Sequence, residues 1–282
     1  MNPSEMTIRI GGRLEDFSVP KVMGIVNVTP DSFYSGSRTP DVDGVEHRVE
    51  AMYAAGVDWL DVGGYSSRPG CEDISAEEEY ARLAPALERI RRVREDAVVS
   101  VDTFRAEVAR RCVEEWGVQI INDIGGGTLD PEMFATVASL RVAYVLMHMR
   151  GTPQTMTSLT DYADVTADVI SDLAFKLDAL HDLGVADVIV DPGFGFAKDT
   201  AGNFLMLRRL DEFGVLGCPV LAGLSRKSMI WRALGCTPAE SLNGTTALNM
   251  VALMKGASVL RVHDVAEARQ CVTLYQNLRG KC

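Results

Sequence analysis

The chain has 282 residues, 47% hydrophobic and 24% charged, which is enough to bury a large core. Its 28 Lys and Arg against 39 Asp and Glu leave a net charge of −11, which disfavours nucleic acid and anionic membrane surfaces as partners. No apolar run approaches a membrane span and the N-terminus lacks the apolar core of a signal peptide, so a cytoplasmic protein is expected.

The first predicted element is a hairpin, TIRI-GG-RL, whose Gly-Gly turn joins two short runs and whose place before the first long strand suits a cap on a barrel floor. Eight apolar runs follow: KVMGIV at 21–26, VDWLDV at 57–62, VVSVD at 98–102, QIIND ending at Asp123, AYVLMH ending at His148, VIVD ending at Asp191, PVLAGL ending at Leu224 and SVLRV ending at Val262. Between most of them the apolar positions take helical spacing, as in ISAEEEYARLAPALERIRRV, RAEVARRCVEEWG and NFLMLRRLDEFG, and several of these stretches end at glycine. Strands alternating with helices imply parallel βαβ units, and eight of them close into a (β/α)₈ TIM barrel. An open doubly wound sheet is the alternative, because periodicity does not report closure. With no repeat, low-complexity tract or linker, residues 1–282 are expected to form a single domain. The six cysteines, Cys71, Cys112, Cys218, Cys236, Cys271 and Cys282, include no C-x-x-C pair, so free thiols are expected.

On a TIM barrel the active site gathers at the C-terminal strand ends, and the residues there are polar. Strand one ends at Asn27 and strand two at DVGGYSSRPG, which carries Ser67, Arg68 and Pro69. Later strands end at Asp102, at Asn122 and Asp123, at Met147 and His148, and at Asp191 in DPGFGF. The seventh leads into SRKS, 225–228, and the eighth carries Arg261 and His263. Asp102 either caps the following helix or faces the pocket. Asp123 suits loop amides, Asn122 suits a ligand, and His148 is either a ligand or a buried support. Asp102, Asn122 and Asp191 together describe a receptor for a flat heterocycle rich in N–H donors, with Met147 and the nearby phenylalanines as stacking surface. A metal held by the same oxygens is the rival reading. Arg261, His263, Asn27, Ser67 and Arg68 fall on neighbouring strands and would hold a phosphate or diphosphate. The two cations and two hydroxyls of SRKS, at a helix start, suit an anion or a carbonyl oxygen. The glycine runs match neither a Walker loop nor a dinucleotide fingerprint, so nucleotide binding is not expected.

NVTPDSF, DVGGYSSRPG, SVDTF, INDIGGG, MHMRGTPQTM, DPGFGFAK, SRKS and RVHDV, in this order, closely resemble the dihydropteroate synthases of the folate pathway. The resemblance implies a transferase of barrel fold that condenses 6-hydroxymethyl-7,8-dihydropterin diphosphate with p-aminobenzoate, is a sulfonamide target, uses Mg²⁺ and forms a homodimer. It implies that Asp102, Asn122, Asp191 and Lys227 read the pterin, with Met147 and Phe196 lining its pocket. Asn27 would touch Mg²⁺, and Arg68, Arg261 and His263 would bind diphosphate oxygens. Ser228 would meet the p-aminobenzoate carboxylate near Phe33 and Pro69. Two departures stand out: in loop two Tyr65 occupies a position usually held by glutamate and Ser67, expected to keep a hydroxyl contact, one usually held by threonine; in loop one Tyr34, Ser35 and Gly36 stand where an aspartate is usual. A pterin-binding methyltransferase and a non-catalytic pterin-binding paralogue are the alternatives, the first expected to lack a diphosphate corner.

Overall fold

The computed structural model describes residues 6–29, 42–66 and 73–280. Two antiparallel strands, β1 (Thr7–Ile10) and β2 (Arg13–Asp16), form the expected hairpin. Its turn needs positive φ at both central positions, which Gly11 (56°) and Gly12 (81°) supply without a Cβ clash.

Eight parallel strands follow: β3 (Lys21–Asn27), β4 (Trp59–Gly63), β5 (Val98–Asp102), β6 (Ile120–Asp123), β7 (Ala143–Met147), β8 (Val188–Asp191), β9 (Leu221–Ala222) and β10 (Val259–Val262). They are ordered β8-β7-β6-β5-β4-β3-β10-β9. A parallel bridge between Val190 and Val220, with Val190 N donating to Pro219 O at 2.9 Å, brings β8 against the start of β9 and closes the ring. The open doubly wound alternative is thereby excluded. β9 is shorter than PVLAGL suggests, because Pro219 has no N–H to donate and the chain turns after Ala222.

Helices cover the outside: α1 (Val42–Ala54), α2 (Ala76–Val93), α3 (Ala106–Trp116), α4 (Met133–Leu140), α5 (Val165–Asp182), α6 (Thr200–Arg208), α7 (Ser228–Leu234), α8 (Leu242–Met254) and α9 (Val265–Leu278). Their starts follow side-chain chemistry. Ser75, Asp164 and Asp199 each accept backbone N–H bonds from the first turn of α2, α5 and α6. Gly117, at φ 62°, ends α3 in the left-handed conformation. None of the described helices is long and apolar enough to cross a membrane.

The strands read as apolar runs because both faces are buried. Outward residues such as Val22, Leu60, Val99, Ile121 and Leu260 pack under the helices. Inward residues Met23, Trp59, Ile120, Val145, Ile189 and Val259 form a second cluster with Ile8, Ile10 and Phe17 of the hairpin. Phe17 meets Trp59 edge to face at 6.2 Å, and Arg9 N donates to Asp187 Oδ1 at 2.7 Å. The hairpin therefore plugs the floor, and the polar strand ends are left at the opposite mouth.

Candidate active site

The period of two along each strand stacks side chains in layers inside the ring. On β4, Trp59 belongs to the apolar floor, Asp61 to the layer above it, and Gly63 to the mouth. Asp61 is 0% exposed, and its Oδ2 accepts from Arg261 Nε on β10 at 2.6 Å and from Asn122 Nδ2 on β6 at 3.1 Å. Arg261 Nη2 donates in turn to Asp102 Oδ2 on β5 at 2.6 Å. Asp102 thus faces the pocket and does not cap α3, whose N-cap position is held by Arg105 without a side-chain bond.

One guanidinium serves two carboxylates here, and the two ends of the bond respond differently. Burial alone would lower the Arg261 pKa, but Asp61 and Asp102 hold it above its ordinary value. Burial pushes the Asp102 carboxyl up to about 7, Arg261 pulling it down and Asp61 pushing it further up. The Asp102 side chain is still 20% exposed, so a ligand in the mouth can reach it.

Asp191, at the end of β8, is buried; its Oδ1 accepts from Gly193 N at 2.7 Å. Burial raises its pKa, while Lys227 and the Gly193 amide oppose the rise. Lys227 arrives from the turn after β9, donates to Phe194 O and sits 4.7 Å from the centre of the Phe196 ring. Burial lowers its pKa to about 8, with Asp191 opposing. A Cβ on Gly223 would lie 3.8 Å from Lys227 Nζ and 3.9 Å from Asp191 Oδ2, so glycine there leaves the space between them open. Met147 and Phe196 belong to an apolar cluster with Ile124, Met149 and Met156 on this side of the mouth.

The SRKS turn divides its work. Ser225 Oγ accepts from His263 N at 3.1 Å and lies 3.0 Å from His263 Nδ1. Arg226 binds both oxygens of Asp264 at 2.9 Å and the carbonyls of Pro238 and Ala239, so it anchors the turn and is not one of two adjacent anion-binding cations. Only Lys227 of that pair enters the pocket. Ser228 opens α7 and is half-buried. His263 is kept largely neutral at pH 7, its pKa lowered to about 4 by burial first and by Arg261 next.

Asn27 ends β3 beside Gly63, where an added Cβ would lie 3.6 Å from both Asn27 Oδ1 and Asp102 Cβ. Asp123 has the structural role its sequence context suggested, accepting from Gly125 N, Gly127 N and Tyr144 OH at 2.7 to 2.8 Å. His148 is a buried support: its Nδ1 lies 3.0 Å from Lys198 Nζ, and burial together with that ammonium drives its pKa down to about 2. Tyr65 packs edge to face on Phe104 at 5.1 Å, lies under Arg105, and accepts from Gln154 Nε2 at 3.2 Å, joining the segments after β4, β5 and β7.

Phe33, Ser67, Arg68 and Pro69, with Tyr34, Ser35 and Gly36, lie outside the described residues. Sequence reading did not single out Asp61 or Lys198. A carboxylate inside an otherwise apolar strand was the available signal for the first, and the lysine closing DPGFGFAK for the second. A cleft of about 990 Å³ lies on the flank between α5, α6 and α8, but its Arg209 is bound to Asp164 and Glu212 and its Lys255 to Asp211.

The fold and this mouth are those of a barrel enzyme, with Arg261 linking Asp61 to Asp102, and Asp61 in turn holding Asn122, toward the C-terminal ends of the strands. The sequence pattern of the pterin binding enzymes matches residues 23–263, and the chain belongs to that family. Its relatives there include dihydropteroate synthases. The Synechocystis enzyme is 41% identical over 252 residues, 88% of this chain and 86% of its own length. The crystal structure of the Yersinia pestis dihydropteroate synthase with a sulfonamide drug complex superposes with a TM-score of 0.91 at 35% identity, covering 98% of this chain and 100% of that one. The Xanthomonas albilineans enzyme in complex with 7,8-dihydropteroate gives 0.86 at 36% identity, covering 97% and 99%.

Proposed function

We propose that the protein is a dihydropteroate synthase, a transferase that joins 6-hydroxymethyl-7,8-dihydropterin diphosphate to p-aminobenzoate and releases pyrophosphate. One observation of the structure carries this reading: Asp102, Asn122 and Asp191 share one barrel mouth with Arg261, which binds Asp102 directly and shares Asp61 with Asn122. The acceptors suit the N–H edge of a pterin, and the guanidinium suits the diphosphate attached to it.

In the reaction the pterin-methyl C–O bond breaks, its electron pair leaves with pyrophosphate, and the amine lone pair of p-aminobenzoate forms the new C–N bond. The amine proton is then lost to solvent or to the departing pyrophosphate. A neutral aromatic amine needs no strong base, and none is required of His148 or His263. Charge stabilisation is the main task. Asp102 and Asp191 face the ring as it becomes electron-poor, while Arg261 and His263 bind the leaving group. Lys227 donates to the pterin, Met147 and Phe196 enclose it, and Ser228 meets the p-aminobenzoate carboxylate. A protein thiol is not needed, and burial pushes Cys112 up to about 12 and Cys218 up to about 11. The sequence adds Arg68, with Ser67 beside it, at the diphosphate, and the resemblance adds Phe33 and Pro69 near p-aminobenzoate.

Mg²⁺ fits this arrangement through Asn27, whose side-chain oxygen borders the gap that Gly63 leaves open. Among the described residues no three His, Cys, Asp or Glu side chains gather as a metal cage, and a hard cation that takes most of its ligands from water and phosphate needs none. When bound it would neutralise charge on the leaving diphosphate. We further read the chain as one barrel domain that works as a homodimer in the cytoplasm.

The test is pyrophosphate release measured with both substrates. Release should require p-aminobenzoate, stop on chelation of Mg²⁺, and be inhibited competitively by sulfonamides. Lys227→Ala should cut turnover about a hundredfold or more with the circular dichroism spectrum unchanged. Pterin binding without pyrophosphate release at any Mg²⁺ concentration would overturn the assignment.

A further inference from the structure

We propose that Asp61 is the positioning residue of the mouth, setting which way the Asn122 amide faces and holding Arg261 by its Nε edge. The two groups share a single oxygen, Asp61 Oδ2, at 3.1 Å and 2.6 Å. A carboxylate can only accept, so the Asn122 NH₂ must turn to Asp61, which leaves the Asn122 oxygen to accept from a ligand N–H. Arg261, held at Nε by Asp61 and at Nη2 by Asp102, keeps its planar fork at a fixed angle with further N–H groups for an anion. Asp61 is fully buried one layer below the mouth and acts through these two side chains, without touching substrate.

Stability does not explain a carboxylate in this layer. Its Oδ1 has no hydrogen-bond partner among the described residues, and neither has Oγ of Ser100, its register partner on β5. A half-satisfied buried carboxylate is costly, and apolar residues of similar volume commonly replace buried ion pairs without loss of stability. The bonds that Asp61 does make both lead to groups facing the ligand.

The inference rests on the reading of the mouth as a pterin and diphosphate site, so wild type is titrated first by calorimetry. The probes are 6-hydroxymethylpterin and, separately, inorganic pyrophosphate with Mg²⁺. A wild type that binds neither probe overturns that reading itself. Asp61→Asn then frees the Asn122 amide to turn over and removes the charge at Arg261 Nε. Both dissociation constants should rise about tenfold or more, while KM for p-aminobenzoate stays within about twofold. A purely structural role would lower the melting temperature and weaken all three together.

The swap D61N/N122D provides a second arm, because the buried pair keeps one hydrogen bond and one negative charge. Its pterin affinity should stay near wild type while pyrophosphate affinity falls, since the charge has moved away from Arg261 Nε. A folded variant of either kind that binds pyrophosphate as tightly as wild type would sink the proposal. Failure of both variants to fold would also overturn it, assigning Asp61 to barrel stability.

Discussion

The ammonium of Lys198 is buried with three acceptors around it: Gly193 O, Phe196 O and His148 Nδ1, each at 3.0 Å. These bonds tie the DPGFGFAK turn to the end of β7, in a stretch where Gly193, Gly195 and even Ala197 take positive φ. Burial lowers the Lys198 pKa to about 7 against the pull of Asp191, so the turn is held by a group that barely keeps its charge. Lys198→Met removes three bonds but also a buried charge, and the two effects oppose. Net stability should change by no more than about 1–2 kcal/mol in urea titrations. The turn carries Asp191 and Phe196 at the pocket, however, so KM for the pterin diphosphate should rise severalfold. An unchanged KM would show that the turn holds its shape without the lysine.

Among the elements, the hairpin of β1 and β2 has the clearest separable task. Phe17 is 2% exposed and seals the floor against Trp59, at the opposite end of the barrel from the mouth. Phe17→Ala should cost roughly 3–5 kcal/mol of unfolding free energy, as large-to-small changes in packed cores do. Turnover at 25 °C should persist, because the polar strand ends lie at the other end of the barrel. This element and most strands were legible because buried parallel strands are apolar throughout and the Gly-Gly turn has one favoured geometry. The helices α4 and α8 were not. α4 is short and apolar on most sides, and α8 carries a glycine and two adjacent threonines in its first turn and a half, which reads as a loop. Packing explains the glycine: a Cβ on Gly244 would lie 2.6 Å from Ile230 and 2.8 Å from Leu234, so α7 and α8 touch only if that position is bare. The site was legible at strand ends and invisible one layer down. The inward face of β4 shows in sequence only as an aspartate between apolar neighbours, and its partners on β6 and β10 are distant in the chain.

For the whole molecule, the charges gathered at the mouth are charges the fold resists. Asp102 is raised from 3.8 to about 7 and Lys227 is lowered from 10.5 to about 8, burial being the main cause of both. Between pH 4 and 7 the unfolded chain has lost the Asp102 proton and the native protein still holds it, so stability falls as pH rises and the full penalty is reached above 7. For Lys227 the penalty is full below 8 and is relieved as pH climbs toward 10.5, where the unfolded chain also loses the proton. Both penalties are therefore complete between about pH 7 and 8, the window in which an ionised Asp102 and a protonated Lys227 coexist, as the proposed pterin site requires. Activity and the least favourable ionisation of the empty site should coincide. In melting curves from pH 5 to 10, the gain of the double variant D102N/K227M over wild type should be largest at pH 7–8 and shrink on either side. Wild-type kcat/KM for the pterin diphosphate should peak in the same window and fall by about tenfold per pH unit beyond it. A stability difference that stays flat across this range would mean that neither charge is carried into the folded protein at a cost, and that the mouth is already neutralised without its ligand.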